Sequence, residues 1–315
     1  MFAFSLMIGC VALRLAPTSI RPAEPSRIVA LGDVHGDFER MQRAIRGAGL
    51  IDDNLHWAGG DTTLVQLGDI LDRGDAEREC WSLLQQLREE APASGGQVVC
   101  LLGNHEIMNV MGVADPFIHA SGRTAFGPDR TAAWAPGGEL ATALADCPVV
   151  AIIGDSAFVH AGLPCDTTAE SIAQVNEQTR EWLLGVRRGP PAVLQGGSSS
   201  PVWDRSLSSP SGAEPRAEDC AALRATLDRL GVARVVVGHT PQRQVNSACG
   251  GAVWRCDTGM SRWVVGGYCQ ALEITPANGV RVLRDLKPPA PVSATVAPEA
   301  ECDDDGCTDI FRDYF

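Results

Sequence analysis

Five short apolar runs, each ending on a polar pair, limit the fold of this chain more tightly than any other feature. Residues 28–31, 64–67 and 98–102 run into Gly32-Asp33, Gly68-Asp69 and Gly103-Asn104, while residues 157–159 and 235–237 run into His160-Ala161 and Gly238-His239. A short apolar run without alternation predicts a strand buried on both faces, so the polar pair is delivered where the backbone leaves the sheet. Helical periodicity lies between several of these runs, at residues 37–48, 76–90, 137–145, 169–184 and 218–230. Alternating strands and helices imply βαβ units and an α/β fold. Further on, apolar runs crowd together near residues 252–256, 268–274 and 280–285, with Asn278-Gly279 as a turn between the last two. That spacing predicts an antiparallel end to a sheet. The expected architecture is a central two-sheet β-sandwich flanked by helices, one sheet continued by C-terminal hairpins, with the polar strand ends gathered at one edge.

At 315 residues, 45% apolar and 21% charged, the chain has material for one large core. Its net charge of -13 leaves no basic excess for a phosphate backbone, which argues against a nucleic-acid partner. An anionic substrate must then meet positive charge supplied locally. Three segments are expected: residues 1–26 as a targeting or signal segment, 27–288 as the folded body, and 289–315 as a Pro-rich and then acidic tail. The apolar stretch 2–13 is too short for a stable membrane span and has no Lys or Arg before it, but it suits a signal-peptide core. Met7-Ile8-Gly9-Cys10 is similar to a bacterial lipoprotein box, which adds an N-terminal anchor as a second reading. Export or an organellar destination is favoured over the cytoplasm.

Of the 11 cysteines, removal of Cys10 with a leader would leave an even number, which suits an oxidising compartment. Cys249 with Cys256 and Cys302 with Cys307 are spaced to close small loops, and reduced buried thiols are the competing reading. No CxxC pair occurs, so a cysteine zinc site is not expected. Residues 189–212, rich in Pro, Ser and Gly, read as a long surface loop.

The strand ends carry the chemistry. In Gly32-Asp33-Val34-His35-Gly36 the glycines let the backbone fold tightly enough for an Asp and a His to face one ion, although the motif alone is also ordinary turn chemistry. Gly68-Asp69-Ile70-Leu71-Asp72-Arg73-Gly74 adds a carboxylate able to bridge two cations and a guanidinium able to grip two phosphate oxygens. Standing by itself, Asp72-Arg73 would read as a surface ion pair. Gly103-Asn104-His105-Glu106 offers a neutral amide oxygen as ligand and an imidazole able to protonate a leaving alkoxide. His160 and His239 each close an apolar strand, and either alone would read as a core histidine. Arg123 and Arg130, in the unassigned stretch 112–136, read as a solvated loop face with phosphate contact as the alternative, and His56 and His119 read as structural.

The series GDVHGD, GDILDRG, GNHE, HAGL and GHT resembles the phosphoprotein phosphatase branch of the calcineurin-like metallophosphoesterases, over about residues 28–285. HAGL where the animal serine/threonine phosphatases carry a His-Gly-Gly motif, together with Asp257-Thr258-Gly259-Met260-Ser261, makes the chain most similar to the Shewanella-like phosphatases. The bacterial diadenosine-tetraphosphatase group is a near neighbour. The resemblance implies a four-layer α/β/β/α catalytic domain over residues 27–288. It also implies that Asp33, His35 and Asp69 hold one metal, that Asp69 bridges, and that Asn104, His160 and His239 complete the second site. His105 would be the general acid, Asp72 the carboxylate orienting it, and Arg73 and Arg205 the phosphate clamps, Arg205 being taken from the Trp203-Asp204-Arg205 segment. Imidazole, carboxylate and amide donors without thiolate point to Mn, Fe or Zn.

The implied reaction is hydrolysis of phosphomonoesters on phosphoproteins or phosphopeptides, bearing phosphoserine, phosphothreonine or phosphotyrosine. It proceeds by direct attack of a hydroxide held between the two metals, without a phosphoenzyme. A dinucleoside polyphosphate hydrolase and a silent binding protein on the same fold are the alternatives. The tyrosine-bearing loop of the animal enzymes is absent, and residues 259–263 stand in its place.

Overall fold

The computed structural model describes residues 25–284 apart from Pro128. Most of the expected targeting segment, Cys10, Cys302, Cys307 and the C-terminal tail lie outside the described residues. In chain order the first half forms β1 (Ile28–Leu31), α1 (Phe38–Gly47), β2 (Thr63–Gln66), α2 (Glu77–Glu90), β3 (Gln97–Cys100), α3 (Asn104–Met111), α4 (Gly122–Ala125), α5 (Arg130–Trp134) and α6 (Glu139–Leu144). The second half forms β4 (Val150–Ile153), β5 (Ser156–Val159), α7 (Ala169–Leu183), α8 (Ala217–Leu230), β6 (Arg234–Val237), β7 (Asn246–Ala248), β8 (Val253–Arg255), β9 (Ala271–Thr275) and β10 (Gly279–Leu283).

The strands make two sheets, ordered β10-β9-β1-β2-β3 and β4-β5-β6-β8-β7. Strand alternation explains why the central strands read as unbroken apolar runs. Ile28, Ala30, Val65, Leu67 and Val99 face the space between the sheets, where they join Ile153, Phe158, Val236 and Leu272. Val29, Leu31 and Leu64 point the other way, into a cluster with Met41 and Ile45 of α1 and Leu84 and Leu87 of α2. On the second sheet Val235 and Val237 share that cluster with Leu223 and Leu227 of α8. Each such side chain contributes roughly 1.5–3 kcal/mol on full burial, so a polar residue inside any of these runs would be costly. The helices are bounded by the expected chemistry. Asp37 accepts from Arg40 N at the start of α1, Thr168 caps α7 through Ser171 N, and Gly231 closes α8 in the left-handed region.

The topology places the site. β1, β2 and β3 run parallel, as do β5, β6 and β8, so each sheet presents several carboxyl ends at one edge. Three expectations are corrected. The strand near 252–256 does not join the C-terminal hairpin: it is β8, parallel to β6 in the second sheet, while β9 and β10 alone extend the first. Cys249 does not pair with Cys256, because the tight turn at Cys249–Gly251 places it against Cys220 of α8, to which it is disulfide-bonded, and Cys256 is a buried free thiol beside the site. Residues 189–212 are not merely surface, since Ser200, Val202, Asp204 and Ser208 are buried. Ala161 N donates to Pro201 O at 2.9 Å and draws that loop over the strand ends. No helix among the described residues is long and apolar enough to cross a membrane.

Candidate metal centre and active site

Each parallel strand of the first sheet ends in a turn that bends its side chains inward. Val34 N and His35 N donate to Asp69 O at 3.0 and 2.9 Å, and Gly36 N donates to Ile70 O at 2.8 Å, so the first two strand ends are stitched together. Glu106 organises the next junction. Its carboxylate accepts from Gly103 N at 2.9 Å, Asp69 N at 2.8 Å, Ile70 N at 2.9 Å and Leu71 N at 3.2 Å. The approach is close enough to require glycine. A Cβ on Gly103 would sit 2.1 Å from Asp69 Oδ1, and one on Gly238 would sit 2.5 Å from Asp33 Oδ1.

This convergence bends the backbone into the left-handed region at side-chain-bearing residues: His35 (φ 45°), Asp69 (54°), Asp72 (66°), Arg73 (65°) and His239 (67°). Each costs about 1–2 kcal/mol relative to the right-handed region, an expense that clusters at functional sites. Leu55 and Cys249 are the other such residues among those described, so the strain is concentrated at the site but not confined to it.

Asp69 is the hub. Its Oδ2 lies 3.6 Å from His35 Nε2, 3.4 Å from His160 Nε2 and 4.0 Å from His105 Nε2. Ligand atoms of His35, Asp69 and His105 fall within 4.8 Å of one another, and so do those of Asp69, His160 and His239. Asn104 Oδ1 is 2.9 Å from His160 Nε2, and Asp33 accepts from His239 N at 3.1 and 3.2 Å. Backbone carbonyls orient the rings: His35 Nδ1 donates to Leu71 O at 3.1 Å and His160 Nδ1 to Leu67 O at 2.8 Å, which turns both Nε2 atoms toward the hub. His105 differs, because its Nδ1 meets Asp72 Oδ2 at 2.7 Å.

The donor set fits cations. Nε2 of His239 is buried without a hydrogen-bond partner, an unsatisfied ring nitrogen in a cluster of imidazole, carboxylate and amide donors. The electrostatics agree. Burial, then the neighbouring Asp257 carboxylate, pushes Asp33 well above the usual carboxylate range. Burial likewise pushes Asp257 up to about 6, with the Gly259 N–H opposing and the Asp69 charge adding to the rise. Burial disfavours charge on His160 too, but the Asp69 and Asp33 carboxylates override it and push the imidazole up to about 10. Burial and the nearby His105 bring His35 down to about 3, and burial with the adjacent His160 holds His239 well below its ordinary value. Three buried carboxylates repel one another, and positive ions among them relieve that repulsion.

Two guanidinium groups face the same centre. Arg73 lies with its guanidinium carbon 5.2 Å from the Phe117 ring, and its backbone N–H donates to Phe117 O at 2.8 Å. Arg205 donates to Thr240 Oγ1 at 3.2 Å and feels the charges of Asp257, Asp33 and Asp69 as well as that of Arg73. Every residue named from the strand-end motifs thus reaches one edge, together with Arg205 from the loop.

Further members of the site lie outside the residues predicted from the motifs. Asp257 is buried at the end of β8, within the Asp-Thr-Gly-Met-Ser run, whose position after a strand was the available signal. Glu106, the last residue of the GNHE series, bonds backbone N–H groups, while Asn109, Glu77 and Arg130 form supporting bonds with no local motif. Arg130 is a correction: it is not a solvated loop residue, but is buried and ion-paired with Glu77, with Asp72 close by. Arg123 is exposed and paired with Asp115. His56 is exposed and paired with Glu90, while His119 packs its ring 4.8 Å from that of Trp263.

Comparison with known proteins bears on this geometry. Residues 26–243 match the family described as calcineurin-like phosphoesterase. Shewanella-like protein phosphatase 2 of Arabidopsis thaliana is 35% identical, over 82% of this chain and 78% of that protein. Among solved structures, a cold-active protein tyrosine phosphatase superposes with a TM-score of 0.65 at 25% identity, covering 82% of this chain and 77% of its own. A protein serine/threonine phosphatase from Saccharomyces cerevisiae shares the fold, with a TM-score of 0.60 at 16% identity over 90% of this chain and 86% of its own.

Proposed function

Because this chain belongs to the calcineurin-like phosphoesterases and is therefore a metal-dependent phosphoester hydrolase, we propose that it is a protein phosphatase acting on phosphoserine, phosphothreonine or phosphotyrosine. Its similarity to a protein phosphatase over most of both chains supports that substrate class. The observation that carries the reading is the position of Asp69 Oδ2, 3.6 Å from His35 Nε2 and 3.4 Å from His160 Nε2, one carboxylate between two sets of donors.

In this reading Asp33, His35 and Asp69 would hold one ion, and Asp69, Asn104, His160 and His239 the other, a division taken from the motif resemblance and supported by the proximity of His35 to Asp69 and of Asp69 to His160 and His239. Mn, Fe or Zn suit these donors. Bound there, such a pair supplies Lewis-acid chemistry that lowers the pKa of water toward neutrality and draws charge from phosphoryl oxygens. The protein side chains do the rest. Arg73 and Arg205 grip the non-bridging oxygens and provide local positive charge in a chain whose net charge is -13. His105 delivers a proton from Nε2 to the departing alcohol or phenol oxygen. Asp72, bonded to Nδ1 at 2.7 Å, keeps the ring turned with Nε2 inward. His35 and His160 place Nδ1 on backbone carbonyls, whereas His105 places it on the Asp72 carboxylate, and this difference in Nδ1 partner separates the acid from the ligands.

The test is phosphate release by the purified, chelator-stripped full chain, re-supplied with Mn²⁺, Fe²⁺ or Zn²⁺. A panel of phosphopeptides carrying each of the three residues is run beside diadenosine polyphosphates. Metal-stimulated release from peptides, faster than from dinucleotides, is expected. Turnover of dinucleotides alone, or none with any metal, overturns the proposal.

A further inference from the structure

Behind the His105–Asp72 pair lies a charged cluster to which the scheme above gives no task. Asn109 Nδ2 donates to Asp72 Oδ1 and Oδ2 at 3.1 and 3.0 Å, and to His105 O at 2.9 Å. Arg130 Nη2 donates to Asn109 Oδ1 at 2.8 Å, to Glu77 Oε2 at 3.2 Å and to Asp72 Oδ1 at 3.4 Å. Its Nη1 bonds Glu77 Oε1 and, at 2.7 Å, Gly122 O. Glu77 closes the circuit by accepting the Asp72 backbone N–H at 3.0 Å. All five side chains are buried.

Buried ion clusters are weak stabilisers, because the cost of desolvating the charges offsets their attraction. What this one supplies is position. Asp72 is held at φ 66° beside Arg73 at φ 65°, and Glu77 secures its N–H in that disfavoured conformation. The carboxylate is shared: Oδ2 takes His105 while Oδ1 faces Arg130, and Asn109 spans both oxygens. With Oδ1 engaged, rotation of the carboxyl group would break bonds to two partners before it released the imidazole.

We propose that Arg130, acting with Glu77 and Asn109, is a positioning residue for phosphoester hydrolysis: it clamps Asp72 so that His105 Nε2 is presented to the leaving-group oxygen. The inference rests on the phosphatase reading. It gives the helical stretch containing α4 and α5 a role in the chemistry without contact with the substrate.

A positioning role differs from a merely structural one in its dependence on the leaving group. An alkoxide must be protonated as it departs, whereas a 2,4-dinitrophenolate leaves without a proton. Arg130→Ala is expected to lose about 10–100-fold in kcat/KM on an alkyl phosphate and to change little on 2,4-dinitrophenyl phosphate, with metal content unaltered. Guanidinium chloride at non-denaturing concentration should restore the alkyl-phosphate rate. The side chain it would replace lines a cleft of about 240 Å³, together with Asn109, Asp129, Thr131 and Trp134, which gives the small cation a path. Arg130→Lys, which keeps the charge but loses the fork, should fall between.

Should Arg130→Ala not fold, Asn109→Ser carries the same leaving-group test with Arg130 and Glu77 in place. Equal losses on both esters, or none on the alkyl ester, overturn the inference. A wild-type chain without metal-dependent hydrolysis of either ester instead overturns the phosphatase reading beneath it.

Discussion

Two histidine–carboxylate pairs in this molecule have the same separation and opposite surroundings. His105 Nδ1 and Asp72 Oδ2 are 2.7 Å apart at 4% and 0% side-chain exposure, and His56 Nδ1 and Glu90 Oε1 are 2.7 Å apart at 63% and 28%. The exposed pair competes with water and salt, and such contacts contribute little. Glu90 also accepts from Trp57 N at 2.7 Å and Gln86 Nε2 at 2.9 Å, so it fastens the turn after α1 to the end of α2. The buried pair has no water to compete with and is braced by Asn109 and Arg130. The more telling difference lies across the ring: His105 Nε2 is 4.0 Å from Asp69 Oδ2, whereas His56 opens to solvent. Separation alone does not mark a pair as chemical. What stands on the far side of the imidazole does.

The sharpest way to break this comparison is to change what the buried pair faces. Asp69→Asn keeps the shape of the hub and removes the charge shared by His35, His160 and His105. It is expected to empty at least one metal site by elemental analysis and to abolish turnover of every ester. Full metal occupancy in that variant would show that Asp69 does not bridge.

His105→Ala should fall second. It is expected to retain metal and to lose about 10²–10⁴ in rate on alkyl phosphates, the usual worth of a general acid. His56→Ala should leave the rate unchanged. A similar loss from both alanines would mean that burial and the facing carboxylate do not separate the pairs.

The strand-end centre is legible in the sequence because its chemistry is local. A Gly-Asp or Gly-Asn pair after an apolar run is visible within a few residues, and Asp33, Asp69 and Asn104 each follow one. The supporting layer has no such compactness. Arg130 lies 58 positions from Asp72, and its partners Glu77 and Asn109 sit on two other helices, so nothing near Arg130 announces its burial. α3 begins inside the GNHE series, with Gly103 as its cap and Glu106 shared between the Gly103 N–H and backbone N–H groups of a neighbouring strand end. β4 hides behind Gly154-Asp155, which resembles another delivering strand end but is the hairpin turn that pairs Ile153 with Ser156. Residues 189–212 have the composition of a surface loop, yet packing against Ala161 buries part of them. Pattern reports what a segment can do alone, and these are the places where a distant partner decides.

The smallest expected effect tests the exposed half of the comparison. The hydrogen bond and charge of Glu90 raise the His56 imidazole above its ordinary 6.5, while the Trp57 N–H, with His56 assisting against slight burial, lowers Glu90 below its ordinary 4.5. A histidine raised on folding contributes stability that is complete below its unfolded value and lost as pH rises through the folded one. A carboxylate lowered on folding contributes stability that is complete above its unfolded value and lost as pH falls through the folded one. Both contributions are complete together only between 4.5 and 6.5. His56→Gln retains a hydrogen-bonding side chain and removes the charge. Its thermal midpoint should lie below that of the wild type within that window and converge on it at pH well above the raised histidine value, with turnover unaffected throughout. A gap that persists at high pH would mean that the pair is held by packing and hydrogen bonding, so that charge does not distinguish it from its buried counterpart.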